Sequence, residues 1–309
     1  SVLGMAGMNK GAVFTATALS AIIGCLLMAF LANYPIAIAP GLGDNAFFTY
    51  SVVLAMGISW QTAMAGVFVA SVIFTILSLM KVREAVINAI PHDLKLAIAA
   101  GIGLFIAFVG LQGGGLVVAS KSSLVQLGSL TVPTTWLTIF GVLAIALLMA
   151  KRVPGSIFIG MILTTLLGLF TGLIKMPAHI ISLAPSMKPT FGVALTNLGK
   201  VNTPQMWAVV LIFLLVAFFD TAGTLVGLAQ QAGLMKNDRM PRIGQALMAD
   251  SISMLSGSVM GTTPTAAYVE SSAGIAVGGR TGLTALTVGV LFAFSLLFSP
   301  LLTVVTTQV

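Results

Sequence analysis

The chain has 309 residues, of which 58% are hydrophobic and 7% charged, with a mean hydropathy of +1.11. A soluble domain carries about 25% charged residues, so a soluble fold is excluded and a membrane protein is indicated. The net charge of +7 comes from Lys and Arg spread thinly between apolar runs. No basic cluster points to nucleic acid, and the single cysteine, Cys25, excludes an intramolecular disulfide or a Cys-based metal cluster.

Ala12–Leu31 is a first apolar run of about the 20 residues that a span needs. Asn33-Tyr34-Pro35 ends it. Residues 36–50 then form a segment that cannot be an ordinary membrane helix: extended to Ala39, interrupted at Pro40-Gly41, helical from Leu42 to Met56, with Asp44 and Asn45 in the first turn. Trp60–Met80 is a clean span closed by Lys81 and Arg83. Pro91–Leu111, opened by Pro91-His92-Asp93, is another; Gly113-Gly114-Gly115 ends it, and a polar loop with Lys121 follows. Trp136–Ala150, closed by Lys151-Arg152, and Gly155–Ile174 continue the series. Lys175–Thr203, with Pro177, Pro185 and Pro189, reads as an extramembrane loop with one or two surface-lying helices. Pro204–Ala229 and Ile243–Met260 span again and carry Asp220 and Asp250, with a charged loop (Lys236, Asp238, Arg239, Arg242) between them.

Next comes Gly261-Thr-Thr-Pro-Thr-Ala-Ala-Tyr-Val-Glu-Ser-Ser-Ala-Gly274. Pro264 and its hydroxyl neighbours make Thr262–Tyr268 extended, and Val269–Val277 is read as a half-helix with Glu270 at its N-terminus. Such backbone is tolerated at membrane depth only where protein or a water-filled cavity surrounds it. Thr281–Phe298 spans, and a last span begins near Leu301. This makes roughly ten crossings and the start of another. The connections carrying Lys81, Arg83, Lys151, Arg152, Lys236, Arg239, Arg242 and Arg280 are assigned to the cytoplasmic side.

The two Pro-interrupted segments, near residues 40 and 265, are the sequence pointer to a transporter site at the bilayer midplane. Of the acidic residues, Glu84, Asp93 and Asp238 lie near basic residues at helix ends. Asp44, Asp220, Asp250 and Glu270 lie within apolar segments, where a carboxylate must face a polar cavity, find a partner or take up a proton. Helical spacing puts Asp220, Gly223, Thr224 and Gly227 on one face, and the Gly223/Gly227 pair invites a close neighbour. Asp250 is expected to orient nearby unwound backbone more than to touch a ligand. Phe47 and Phe219 are candidates for stacking. No His or Cys spacing suits zinc, so no metal site is expected.

At these residues the sequence resembles a known family. Asn33-Tyr-Pro-Ile-Ala-Ile-Ala-Pro-Gly-Leu-Gly-Asp-Asn-Ala-Phe-Phe-Thr-Tyr50 is similar to the third-span signature of the AzgA-like purine permeases, a branch of the nucleobase–cation symporter 2 (nucleobase/ascorbate transporter) superfamily. Phe219-Asp-Thr-Ala-Gly-Thr-Leu-Val-Gly227 resembles the eighth-span signature, and residues 261–272 the tenth; Pro91-His-Asp-Leu-Lys-Leu-Ala-Ile-Ala-Ala-Gly-Ile-Gly103 also fits. The resemblance implies an all-α polytopic fold of fourteen spans in two inverted seven-span repeats, with short extended strands in the two interrupted spans. This chain is expected to be a single transporter domain over 1–309, a fragment lacking the first span and the last two or so. Core elements are expected at about 12–112 and 204–280, and gate elements at about 134–174 and 281–309. The resemblance further implies proton symport of adenine, guanine or hypoxanthine across the cell membrane, with Gly43, Asn45, Asp220 and Glu270 binding substrate. Asp220, Asp250 and Glu270 are the candidates for proton coupling or site support. The proton is the coupling ion and no other cofactor is expected. The partners are the purine and the bilayer, with a homodimer left open. Asp44 departs from the family, which usually has an apolar residue there.

Two alternatives use the same residues. Gly41-Leu-Gly-Asp44 matches the GxGD of intramembrane aspartyl proteases, but that chemistry needs two carboxylates sharing a proton, and no Asp or Glu precedes Asp44. An anion transporter of the sulfate-permease type would share the inverted-repeat fold, but its site should avoid carboxylates such as Asp220 and Glu270.

Overall fold

The computed structural model describes residues 2–89, 92–120, 123–153, 155–174, 179–235 and 240–303. In chain order, α1 (Val2–Met5) precedes α2 (Lys10–Leu27), which is capped by Asn9 Oδ1 accepting from the Ala12 amide. A π-helical turn, Met28–Ala32, continues α2. Then come β1 (Ile38–Pro40), α3 (Leu42–Ala46) and a π-helical run over Phe47–Ala55. They are followed by α4 (Trp60–Leu79), α5 (Val82–Ala89), α6 (His92–Gly113), β2 (Val117–Ser120), β3 (Leu124–Leu127), α7 (Pro133–Ala150) and α8 (Ser156–Phe170). The chain continues through α9 (Val193–Thr196), a 3-10 turn at Leu198–Val201, α10 (Pro204–Gln231), α11 (Ile243–Met260), β4 (Thr265–Ala267), α12 (Ser271–Ala276) and α13 (Gly282–Ser295). A 3-10 run, Leu296–Thr303, with Pro300 inside, is the last described element.

Five described stretches are long and apolar enough to cross a membrane: Lys10–Ala32, Trp60–Leu79, Pro133–Ala150, Pro204–Gln231 and Gly282–Leu301. Ser156–Phe170 is apolar but shorter. Other expected crossings are of a different kind. α11 keeps the expected bounds but carries Asp250 and four serines, and the two interrupted segments contribute only half-helices.

The chain divides into two compact units, one of Ser1–Ile102 with Ala184–Leu297, the other of Gly103–Leu183 with Phe298–Val309. In the second unit α7 and α8 pack through small residues, Gly141 against Thr164 and Gly160 against Ile145. The polar loop expected after Gly115 is instead an antiparallel hairpin, β2 with β3, in register Val117↔Leu127 to Ser120↔Leu124. The pairing gives the backbone groups of Val117–Ser120 and Leu124–Leu127 partners in each other.

The first unit is built around the two extended stretches expected in the interrupted spans, which pair with each other. β1 and β4 run antiparallel, with Ile38 opposite Ala267, Ala39 opposite Ala266 and Pro40 opposite Thr265. The Gly41 amide donates to the Pro264 carbonyl at 2.9 Å, and the Tyr268 amide to the Ala37 carbonyl at 2.9 Å. Each broken span thus supplies the hydrogen bonds the other lost at its proline, which is the condition for non-helical backbone inside an apolar interior. α2, α10 and α11 enclose the pair. α2 approaches closely because it has a glycine there: a Cβ on Gly24 would lie 2.6 Å from Ser253 Oγ and 2.7 Å from Ile38 Cγ2. Cys25 is a buried packing residue beside it, with its Sγ 3.5 Å from the Ile38 carbonyl. Phe48, Phe74 and Phe213 fill a second core between the π-helical run, α4 and α10.

Two further expectations change. The helix after Asn45 becomes π-helical from Phe47, so the single α-helix expected to Met56 is two kinds of helix. Part of the loop before Thr203 is not surface-lying: Thr190, Ala194 and Val201 are buried. Thr190 Oγ1 donates to the Met260 carbonyl at 3.0 Å and the Gly192 amide to the Val259 carbonyl at 2.8 Å, so this loop caps the end of α11. Gly261 then turns the chain at φ 94°, a conformation that favours glycine. Pro91, Lys121, Lys175, Pro177, Lys236, Asp238, Arg239 and the start of a final span after Thr303 lie outside the described residues.

Candidate functional site

The paired strands deliver the two half-helices to one place. Gly41 leaves β1 and caps α3, so Gly43, Asp44 and Asn45 fall in its only turn and a half. Tyr268 leaves β4, and Glu270 caps α12 through its backbone, its side chain making no capping bond. Tyr268 Oη donates to the Pro40 carbonyl at 2.9 Å, and Ser271 Oγ accepts from the Ala37 amide at 3.0 Å. Across the junction Thr263 Oγ1 donates to Asn45 Oδ1. Asn45 is therefore tied to the opposite broken segment through its oxygen, which leaves its NH₂ group as a donor.

α10 brings Asp220 to the same place. A Cβ on Gly41 would sit 2.7 Å from Asp44 Oδ2 and 3.3 Å from Asp220 Oδ2, so both carboxylates face the one backbone position that has no side chain. Asp220 is half-buried, and the charges of Asp250 and Glu270 act on it. Glu270 is exposed. Asp44 is 0% exposed, and neither of its oxygens has a hydrogen-bond partner. The structure thus brings Gly43, Asn45, Asp220 and Glu270 into one neighbourhood, with Asp44 behind them.

The stacking candidates behave differently from each other. Phe47 packs edge-on against Phe213, with centroids 5.1 Å apart at 78°. Phe219 is 38% exposed and sits edge-on to Phe218 at 5.4 Å. The glycine pair after Asp220 is not a close-approach face at its second member. Gly227 is exposed, and a Cβ there would meet nothing within 4 Å. Gly223 and Thr224, one turn earlier on the same face, are buried.

Asp250 is paired with a basic residue expected at a cytoplasmic span end. Arg83, expected among the solvated cytoplasmic charges, is 1% exposed, and its Nη2 lies 3.0 Å from Asp250 Oδ2. Lys81, in the left-handed region at φ 58°, folds the chain back between α4 and α5 and turns Arg83 inward. A basic residue at a span end carries the same local signature whether it faces water or a carboxylate 167 positions away. Thr221, which donates to Asp250 Oδ2 at 3.1 Å, likewise carries no local signal that sets it apart.

The Permease family (Xan_ur_permease) sequence model matches residues 2–309. The chain belongs to this family. It is 55% identical over 302 residues to "Guanine/hypoxanthine permease PbuG" of Bacillus subtilis (strain 168), covering 98% of this chain and 69% of that protein. It is 41% identical to "Adenine permease AdeP" of Escherichia coli (strain K12), covering 97% of this chain and 67% of that protein. This permease is therefore a member of the nucleobase/ascorbate transporter group, a multi-pass protein of the cell membrane and not an enzyme. The protease reading is set aside on that ground, even though Asp44 does have a carboxylate neighbour, in Asp220. Among solved structures, the transmembrane domain of a cyanobacterium bicarbonate transporter BicA superimposes with a TM-score of 0.62 at 16% identity, covering 97% of this permease and 85% of that chain. The murine Solute Carrier 26 family member A9 anion transporter in the inward-facing state gives 0.53 at 12% identity, covering 96% and 56%. At these identities the likeness is one of fold: a helical membrane transporter with inverted-repeat neighbours.

Proposed function

We propose that this permease carries purine nucleobases, guanine, hypoxanthine or adenine, into the cell by proton symport. The observation that carries this reading is the β1–β4 junction, which starts the half-helices of Asn45 and Glu270 from one strand pair with Asp220 facing Gly41 at the end of β1, in a chain 55% identical to a guanine/hypoxanthine permease. A purine presents adjacent N–H donors and ring or carbonyl acceptors. Glu270, exposed and free of a capping bond, accepts two N–H bonds, and bonds to a charged acceptor are roughly twice as strong as neutral ones. Asn45 donates to the opposite edge of the base. Gly43 lets the ring approach the backbone of α3, Phe219 offers an exposed ring face, and Phe47 supports the wall. Asp220 is the second ligand and the proton carrier, and Asp250 supports the site.

The longer protein is proposed to hold fourteen spans as two inverted seven-span repeats. Core elements at about 12–112 and 204–280 move against gate elements at about 134–174 and 281–309, to give alternating access, and the protein works as a homodimer. An anion substrate is disfavoured by three carboxylates at one junction.

The test is competition of radiolabelled hypoxanthine uptake by adenine, guanine, xanthine and uracil in the full-length protein, with and without a protonophore. Competition by guanine or adenine, loss of uptake on collapse of the proton gradient, and a fall in affinity of about tenfold or more in Glu270→Gln are expected. Uptake that survives the protonophore but requires Na⁺ defeats the coupling; wild-type affinity in Glu270→Gln defeats the site.

A further inference from the structure

Arg83 is the largest fully buried side chain of the described residues, and nothing in the transport reading uses it. Its guanidinium lies 3.6 Å from the centre of the Phe74 ring. Nη1 donates to Ser78 Oγ at 3.0 Å, to the Leu247 carbonyl at 3.2 Å and to Ser251 Oγ at 2.7 Å, while Nη2 donates to Asp250 Oδ2 at 3.0 Å. One planar cation thus joins the end of α4 and the start of α5 to two turns of α11.

Asp250 passes that fixation on in two directions. Its Oδ2 accepts from Thr221 Oγ1 at 3.1 Å, and Thr221 is the residue after Asp220 on α10. Its backbone carbonyl accepts from Thr265 Oγ1 at 3.5 Å, and Thr265 is the β4 residue opposite Pro40, one step before Gly41. The pair meets through one nitrogen and one oxygen, and Arg83 Nε and Asp250 Oδ1 have no partner. A buried ion pair is a poor source of stability, because apolar side chains of similar volume serve as well or better. What a forked cation supplies and an apolar side chain does not is a fixed position for each group it grips.

We infer that Arg83 is a positioning residue for the transport site: by clamping Asp250 it sets where Asp220 and the β1–β4 crossing stand, without touching substrate. This rests on the nucleobase reading for its transport assay but not for its structural one. Lysine at position 83 keeps the charge but not the planar fork that grips Ser78, Leu247, Ser251 and Asp250 together, so Arg83→Lys is expected to fold and to raise KM by about threefold, less than loss of the clamp. Arg83→Met leaves Asp250 as an unpaired buried charge, and its folding can fail for that reason alone. Arg83→Met combined with Asp250→Asn removes both charges, so it is expected to fold.

The experiment uses full-length protein in proteoliposomes, with radiolabelled hypoxanthine, and amide hydrogen exchange on the same samples. In the double variant KM is expected to rise about tenfold with Vmax within about twofold. The Gly41 and Tyr268 amides, which close the two ends of the strand pair, should exchange at least about tenfold faster while α13 is unchanged. A double variant with a lower melting temperature but wild-type KM and wild-type exchange at Gly41 and Tyr268 overturns the inference. If wild-type protein takes up no purine, the nucleobase reading fails, and the exchange measurement alone decides whether Arg83 positions the crossing.

Discussion

Gly41→Ala is the sharpest probe of the two-carboxylate geometry. Gly41 has φ −63° and ψ 134°, a conformation open to any L-residue, so alanine introduces no backbone strain. Taken alone, its effect on the unfolded chain should stabilise the protein by about 0.4–1 kcal/mol. The methyl group, however, would stand 2.7 Å from Asp44 Oδ2 and 3.3 Å from Asp220 Oδ2, where non-bonded carbon contacts ordinarily begin near 3.5 Å (about 3.5–4.0 Å). Asp44 is fully buried and has no open side to retreat to. It must leave its rotamer or press on its neighbours, at a cost of about 1–3 kcal/mol for overpacking. The balance is a net destabilisation centred at about 1.3 kcal/mol, within a span of about 0–2.6 kcal/mol. A displaced Asp220 should weaken hypoxanthine binding about tenfold, the equivalent of ~1.4 kcal/mol. KM from uptake in proteoliposomes and the thermal midpoint in detergent read the two effects separately. Adding Asp44→Ala removes the oxygen that the methyl meets and should recover most of the loss. If Gly41→Ala binds like wild type and melts higher, the two carboxylates do not crowd this backbone position and the site has been drawn wrongly.

Asp44→Ile should leave purine uptake unchanged or raise it, because it removes two buried oxygens that have no hydrogen-bond partner; complete loss of uptake would make Asp44 part of the binding site. Gly282→Ala should destabilise by roughly 3 kcal/mol, the upper end of overpacking. Its Cβ would overlap the Ala29 carbonyl oxygen and lie 2.7 Å from the Ala29 Cα, and backbone cannot rotate aside. A thermal midpoint equal to wild type would show that α13 does not pack on the end of α2 as described. Asp250→Asn should lower the thermal midpoint, because it leaves the buried Arg83 cation without its counter-charge, but in protein that folds it should raise KM less than Glu270→Gln, since the amide oxygen can still accept from Thr221 and Arg83; the reverse order in KM would move the ligand contact from α12 to α11.

The membrane class, most helix bounds and the two interrupted segments were legible along the chain, because each is set by local physics. Apolar runs near twenty residues partition into lipid. Prolines at 40 and 264 forbid a continuous helix, and the glycine at 261 ends α11 at the residue expected. The polar residues beside those breaks, Asn45 and Glu270, stood out for the same reason, as did Asp220 in its apolar run. What only the tertiary structure decided is which of these distant pieces meet. Nothing local says that Ile38 pairs with Ala267, that Asp44 and Asp220 face the same bare backbone position, or that Arg83 leaves the surface set of basic residues to hold Asp250. Residues 117–127 likewise became a hairpin only because two short strands found each other. Hydropathy and turn chemistry record how each segment divides between lipid, water and protein. They carry no term for its neighbour, and the backbone hydrogen bonds lost at a proline can be replaced only by a partner that the fold brings alongside.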